Sequence, residues 1–204
     1  QYDSYLNVKR ERLEAYILKC WASLWNDRAI DYREKNGVMA KIDHAVIIQE
    51  MVESQSSGVV FTANPLTGLR EELIINSAYG LGEGIVSGEI TPDEFVVNKR
   101  TEQVSSEKIA QKERTFKKSQ EGCEYSCIDQ EKQGIPSLSD GDIKALAQVS
   151  MAIETFYKKP QDIEFAFDSD HVLFILQSRD ITTLYPIEAL EHDGKLRGYM
   201  MASN

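Results

Sequence analysis

Long apolar runs are missing from this sequence. No stretch reaches the roughly 18 residues that a membrane-crossing helix needs, so no helical span is expected. Basic charge is scarce too. Lys and Arg number 23 against 33 Asp and Glu, and the net charge of −10 speaks against a nucleic-acid partner, whose phosphates are held by Lys and Arg. A small phosphate ligand stays open, because it needs only a few local donors and often a metal. Cysteine is limited to Cys20, Cys123 and Cys127. Cys20 stands beside Trp21 in a helical pattern, as a small hydrophobe does. The C-x3-C pair Cys123/Cys127 finds no second pair to complete four zinc ligands. A reducing cytoplasm is the expected setting. The three His (His44, His171, His192) are scattered, with no H-E-x-x-H among them, and G-x-S-x-G is absent, so hydrolase chemistry has no support. The opening Gln1-Tyr2-Asp3-Ser4 shows no Met, no basic stretch and no apolar stretch, so no secretory leader is expected there and a piece of a longer chain is.

What is present reads as α+β with a mostly antiparallel sheet and flanking helices. Residues 8–35 predict one long amphipathic helix, with Leu13, Ile17, Cys20, Trp21, Leu24 and Ala29 at helical spacing and Asn36-Gly37 as its stop. Trp21 and Trp25 offer a stacking platform or, as their spacing favours, a face packed on a core. Ala45–Val52 (AVIIQEMV) predicts a strand buried on both faces. Strands are also expected at 58–63, 72–78 and 94–99, with 101–115 continuing as a hairpin, and 120–136 reads as a polar, exposed excursion. Ser139 caps a helix as S-x-x-D with Asp142, and the helix ends at Lys158-Lys159-Pro160. Strands 162–167 and 172–178 follow, then a linker at 186–204, leaving one domain over 1–185.

The last hairpin carries the clearest pattern. Ile163, Phe165 and Phe167 alternate with Asp162, Glu164 and Ala166, so one face is apolar and the other bears carboxylates. A Ser169-Asp170 loop predicts Glu164 opposite Ile175 and Asp162 opposite Gln177, which gathers Asp162, Glu164, Gln177 and Arg179 on one side. Hard oxygens of this kind suit Mg²⁺, and the guanidinium suits a phosphoryl group. An ordinary surface ion pair fits the same pattern. Gly80-Leu81-Gly82-Glu83-Gly84 is neither a Walker loop nor G-x-G-x-x-G, and serves equally as a bend between strands.

Four segments in order carry a resemblance: AVIIQEMV, SSGVVFTANPLTG, AYGLGEGIVSGEITPDEF and PQDIEFAFDSDHVLFILQSRDIT. Together they resemble the ATP-binding domain of the phosphoenolpyruvate synthase and pyruvate phosphate dikinase family over nearly all of residues 1–186. CWASLWNDRAIDYR and QSRDITTLYP are most similar to its rifampin phosphotransferase branch. The resemblance implies an ATP-grasp fold that binds ATP and Mg²⁺. ATP would be cleaved to AMP and phosphate, and a phosphoryl group would pass through a phospho-His domain to pyruvate or, in the rifampin branch, to a drug hydroxyl. A non-catalytic nucleotide-binding or regulatory module is the reading from another class. By motif, Glu164 and Gln177 correspond to the residues holding Mg²⁺ and the nucleotide phosphates, and Arg179 to the catalytic, phosphate-contacting Arg. Gln49, Glu50 and Val52 fall in the adenine hinge and Ser4 near the nucleotide; Asp162 supports Glu164, and Glu83 is a weaker candidate. The interval from Glu164 to Gln177 is one residue longer than usual, which is expected to enlarge the hairpin loop, and Asp180 replaces the usual Pro with little expected effect. The family's phosphate-gripping Lys and an Arg would precede Gln1, and its phospho-His and acceptor domains lie outside this chain, so the chain alone is expected to be inactive.

Overall fold

The computed structural model describes residues 3–35 and 44–184. Its centre is a six-stranded antiparallel sheet. The strands are β1 (Ser56–Phe61), β2 (Glu72–Tyr79), β3 (Asp93–Asn98), β4 (Gln103–Lys108), β7 (Gln161–Phe167) and β8 (Leu173–Asp180). Their order is β4-β3-β2-β1-β7-β8, so β1 pairs with both the next strand in sequence and one a hundred residues on, and β8 lies at an edge. A separate two-stranded sheet is made of β5 (Arg114–Lys118) and β6 (Cys123–Cys127). The stretch expected to be a polar excursion therefore contains a paired strand, with Cys123 and Cys127 at its two ends.

Period-two alternation sorts the large sheet into two faces. Val60, Leu73, Ile75, Phe95, Val97, Ile163, Phe165 and Phe167 point to one face and join Leu138, Ile143, Leu146 and Ala147 in the core. The last three belong to helix α4 (Asp140–Tyr157), whose buried residues recur at three and four. Its start is the predicted capping box: Ser139 Oγ accepts from the Asp142 N–H, and Asp142 Oδ2 accepts from the Ser139 N–H. Lys158, in the left-handed region with φ 57°, ends it.

Two expectations fail. Residues 10–35 form two helices, α1 (Leu13–Ala22) and α2 (Asp27–Lys35), flanked and separated by 3-10 turns. The break comes from local polar chemistry. Ser23 Oγ donates to the Cys20 carbonyl, and the extended Asn26 starts α2 by accepting from the Ala29 N–H. Trp21 and Trp25 consequently lie exposed, at 46% and 72%, and the Arg33 guanidinium sits 5.8 Å from the Trp25 ring. Residues 44–54 form no strand either. Ile47 and Ile48 are 84% and 62% exposed, and among the described residues no strand pairs with this segment. Asn36-Gly37 and the 186–204 linker lie outside the described residues. No described helix is long and apolar enough to cross a membrane.

Candidate functional site

On the face of the sheet away from α4, the ladder aligns one row of residues across five strands. Glu94 stands opposite Asn76, Asn76 opposite Val59, Val59 opposite Glu164, and Glu164 opposite Gln177. In the next row Phe61 is opposite Asp162, and Asp162 is opposite Arg179. The expected pairing of Glu164 with Ile175 and of Asp162 with Gln177 is thus corrected by two positions. The loop is the five residues 168–172. Asp168 Oδ1 accepts from the N–H groups of Asp170 and Val172, and His171 takes a positive φ of 59°. A register shift then skips Leu176, so Phe165 faces Ile175 while Glu164 faces Gln177. The hairpin thus carries both a loop longer than the expected Ser169-Asp170 turn and a β-bulge at Leu176.

Asp162 and Arg179 form the tightest polar contact on this face. Arg179 Nε donates to Asp162 Oδ2 at 2.7 Å and Nη2 lies 2.7 Å from the same oxygen in the ion pair, while among the described residues Asp162 Oδ1 is buried with no donor. The carboxylate is nearly enclosed and the guanidinium is 65% exposed, so the cation is held at its head and open beyond it. Burial pushes the half-buried Glu164 carboxyl above its ordinary value. The Arg179 guanidinium opposes that rise, and the Asp162 and Glu83 carboxylates reinforce it. Glu83 therefore lies within electrostatic reach of Glu164.

Gly80–Gly84 is a bend. The Gly80 N–H donates to the Gln55 carbonyl and the Leu81 N–H to that of Phe116, while Ser57 Oγ donates to the Gly80 carbonyl at 2.5 Å. Those donors are spent inside the protein, and the chain passes from β2 into the short α3 (Glu83–Val86).

Ser4, Gln49, Glu50 and Val52 belong to two segments whose neighbouring residues meet at the β5–β6 hairpin. The Asn7 N–H donates to Met51 Sδ at 2.8 Å, and Asn7 Nδ2 donates to the carbonyls of Ser119 and Gly122 in the β5–β6 turn. Lys118 pairs with Glu53. These contacts tie the N-terminal segment and the 49–53 segment to one hairpin. Ser4, Gln49 and Glu50 are exposed and Val52 is half-buried. Among the described residues no hydrogen bond or ion pair joins this group to Glu164, Gln177 or Arg179. A cavity of about 520 Å³ opens beside the start of α4, lined by Tyr79, Phe95, Asp142, Phe167 and His171, and none of the hairpin site residues lines it.

Sequence reasoning missed three supports. Asp93 and Lys112 are fully buried and paired at 2.5 Å, and Asp93 Oδ2 also accepts from Ser137 N and Oγ. Gln161 is 1% exposed and hydrogen-bonded on both ends of its amide. Asp180 accepts from Lys159 Nζ and from Gln161 Nε2, bonds that hold its carboxyl below the ordinary value, so this position does matter structurally. Parity was the available signal: Gln161 shares a face with Ile163, Phe165 and Phe167, and Asp93 with Phe95 and Val97.

A model of the pyruvate phosphate dikinase AMP/ATP-binding domain matches residues 1–195. A probable phosphoenolpyruvate synthase of Methanocaldococcus jannaschii is 42% identical over 191 residues, covering 90% of this chain and 16% of that protein. The phosphoenolpyruvate synthase of Pyrococcus furiosus is 40% identical, covering 90% of this chain and 24% of its own length. A rifampicin phosphotransferase of Bacillus subtilis is 40% identical, covering 92% and 22%. The chain thus spans a quarter or less of these relatives.

Proposed function

Because the chain belongs to the pyruvate phosphate dikinase AMP/ATP-binding domain family, we propose that it is the ATP-binding unit of a longer phosphotransferase of the phosphoenolpyruvate synthase type. That enzyme cleaves ATP to AMP and phosphate and passes a phosphoryl group through a phospho-His on another domain to pyruvate. The observation that carries this reading is the alignment of Glu164 with Gln177 beside an Arg179 held by Asp162.

The donor set fits Mg²⁺. A half-buried carboxylate and an amide oxygen on adjacent strands are hard ligands of the kind this ion takes alongside phosphate oxygens and water. The ion would supply charge neutralisation at the phosphates. Glu164 would hold its carboxylate towards that ion, and Gln177 would offer its amide oxygen from the facing position. Arg179, hydrogen-bonded at Nε and ion-paired with Asp162, would present its remaining N–H groups to a phosphoryl oxygen as charge develops there. Gln49, Glu50 and Val52 would receive the adenine, with Ser4 nearby.

In the full-length protein, Glu164→Ala, Gln177→Ala and Arg179→Ala should each abolish AMP formation from ATP. Wild-type turnover in all three would remove the reading. The similarity to the Bacillus subtilis rifampicin phosphotransferase supports a second acceptor, a rifamycin hydroxyl. Assaying the full-length protein with ATP and each acceptor in turn decides between them. A protein that binds ATP and forms no AMP with either would instead be a non-catalytic nucleotide-binding module.

A further inference from the structure

Arg179 stands one residue from the end of an edge strand, since β8 closes at Asp180 and among the described residues has only β7 as a neighbour. Strand ends at a sheet edge open easily. A guanidinium rooted there needs its backbone fixed as well as its head. Asp162 holds the head from one face of the sheet. The root is held from the other face by a single buried side chain.

Gln161 lies opposite Asp180 in the ladder, on the face that packs against α4. Its Nε2 donates to Asp180 Oδ1 at 2.8 Å, with the Lys159 and Pro160 carbonyls at 3.2 and 3.3 Å, and its Oε1 accepts from Ser178 Oγ at 2.9 Å. One amide thereby grips both neighbours of Arg179. Gln161 is itself locked: its N–H donates to Thr62 Oγ1 at 2.7 Å, and its carbonyl accepts from the Thr62 N–H at 2.8 Å. Lys159 Nζ closes the far side by donating to Asp180 Oδ2 at 2.9 Å, and the Ile181 N–H donates to the Pro160 carbonyl. The segment carrying Arg179 is anchored to the turn after α4 through this network, and no group in it faces the site.

We propose that Gln161 is a positioning residue for Arg179, acting through Ser178 and Asp180 to set where the guanidinium leaves the strand. The inference rests on the phosphate-site reading above. It predicts a defect in the chemical step rather than in nucleotide capture, because misplacing a charge-stabilising group by a fraction of an ångström is felt most as charge develops.

The test uses the full-length protein and Gln161→Met, which keeps length and removes both bonds. AMP formation is followed under steady-state and single-turnover conditions, with melting temperature as the control for folding. The expected result is a fall in kcat of about ten- to a hundredfold, with KM for ATP changed less than about twofold. In an Arg179→Lys background the same substitution should cost less than about threefold, since the two act as a unit. An unchanged kcat, or an equal loss in both backgrounds, overturns the proposal. Should Gln161→Met not fold, Ser178→Ala removes one of the two bonds at a half-buried position and is judged by the same criteria. Wild-type turnover in Arg179→Ala would sink the site reading itself; loss there with an unaffected Gln161→Met would sink only the role of Gln161.

Discussion

Glu164 and Gln177 face each other across the β7–β8 ladder, and a bulge at Leu176 is what lets them do so. Leu173, half-buried against the core, and Ile175 stand opposite Phe167 and Phe165, on the α4 side. In an unbroken strand Gln177 and Arg179 would follow them to that side, because positions two apart share a face. The skipped residue turns Gln177 and Arg179 to the opposite face, where Glu164 and Asp162 are. It also turns Ser178 and Asp180 towards Gln161.

The environment of Glu164 makes a prediction about pH. Burial raises its carboxyl above the value it has in the unfolded chain, so the folded state binds this proton more tightly. Stability must then fall as pH rises through the interval between the unfolded and the folded value, and stay lower above it. Glu164→Gln should melt at a higher temperature than the parent at pH 7 without nucleotide, and the gap should close below about pH 4. A parent that is the more stable of the two at pH 7 would contradict the sign.

Asp93 and Lys112 form an ion pair with no solvent exposure, satisfied further by the Ala110 N–H, the Ala110 carbonyl and Ser137. Removing one partner strands the other charge. Asp93→Ala is expected to cost about 3–5 kcal/mol of unfolding free energy, measured by urea denaturation. A loss under about 1 kcal/mol would mean that water reaches the orphaned ammonium.

Alternation made much of this fold legible. The apolar parity of Ile163, Phe165 and Phe167, the strands at 56–61, 72–79 and 93–98, and the Ser139/Asp142 cap all follow from local rules that the tertiary structure obeys. The helix break at Ser23–Asn26 escaped because apolar spacing continues across it while two polar side chains satisfy the backbone differently. AVIIQEMV has the composition of a buried strand, yet pairing depends on a neighbour and not on composition. In the site, membership of one face survived an error of two in register, because an even shift keeps side chains on their face. The bulge itself left no local mark: nothing in the composition of Phe174–Gln177 distinguishes Leu176 as the unpaired position.

Asp142 serves two elements at once. Burial alone would raise its carboxyl, but the hydrogen bonds from Ser139 and from His171 hold it below the ordinary value. His171 Nδ1 lies 3.0 Å from both of its oxygens and joins the β7–β8 loop to the start of α4. A depressed carboxylate contributes stability that is present above its unfolded value and is lost as pH falls through the folded one. Asp142→Asn should therefore destabilise the chain by about 0.5–2 kcal/mol at pH 7, with the difference shrinking in acid. Denaturant titrations at two pH values measure this, and a penalty that grew in acid would refute the assignment.

The bulge makes the sharpest demand on the hairpin. Deleting Leu176 removes the unpaired residue and leaves a regular ladder, with Ile175 still opposite Phe165 and Gln177 still opposite Glu164. Deleting Ser178 removes a residue beyond the bulge, so Arg179 moves one position along β8 and turns to the α4 face, away from Asp162. Both variants shorten the same strand by one residue, and both lose a half-buried side chain. Their consequences should differ. In the full-length protein the Leu176 deletion should retain AMP formation, and the Ser178 deletion should abolish it while remaining folded by circular dichroism. Equal loss in both would mean that the bulge does more than correct the register, and equal retention would mean that Arg179 does not need its place opposite Asp162.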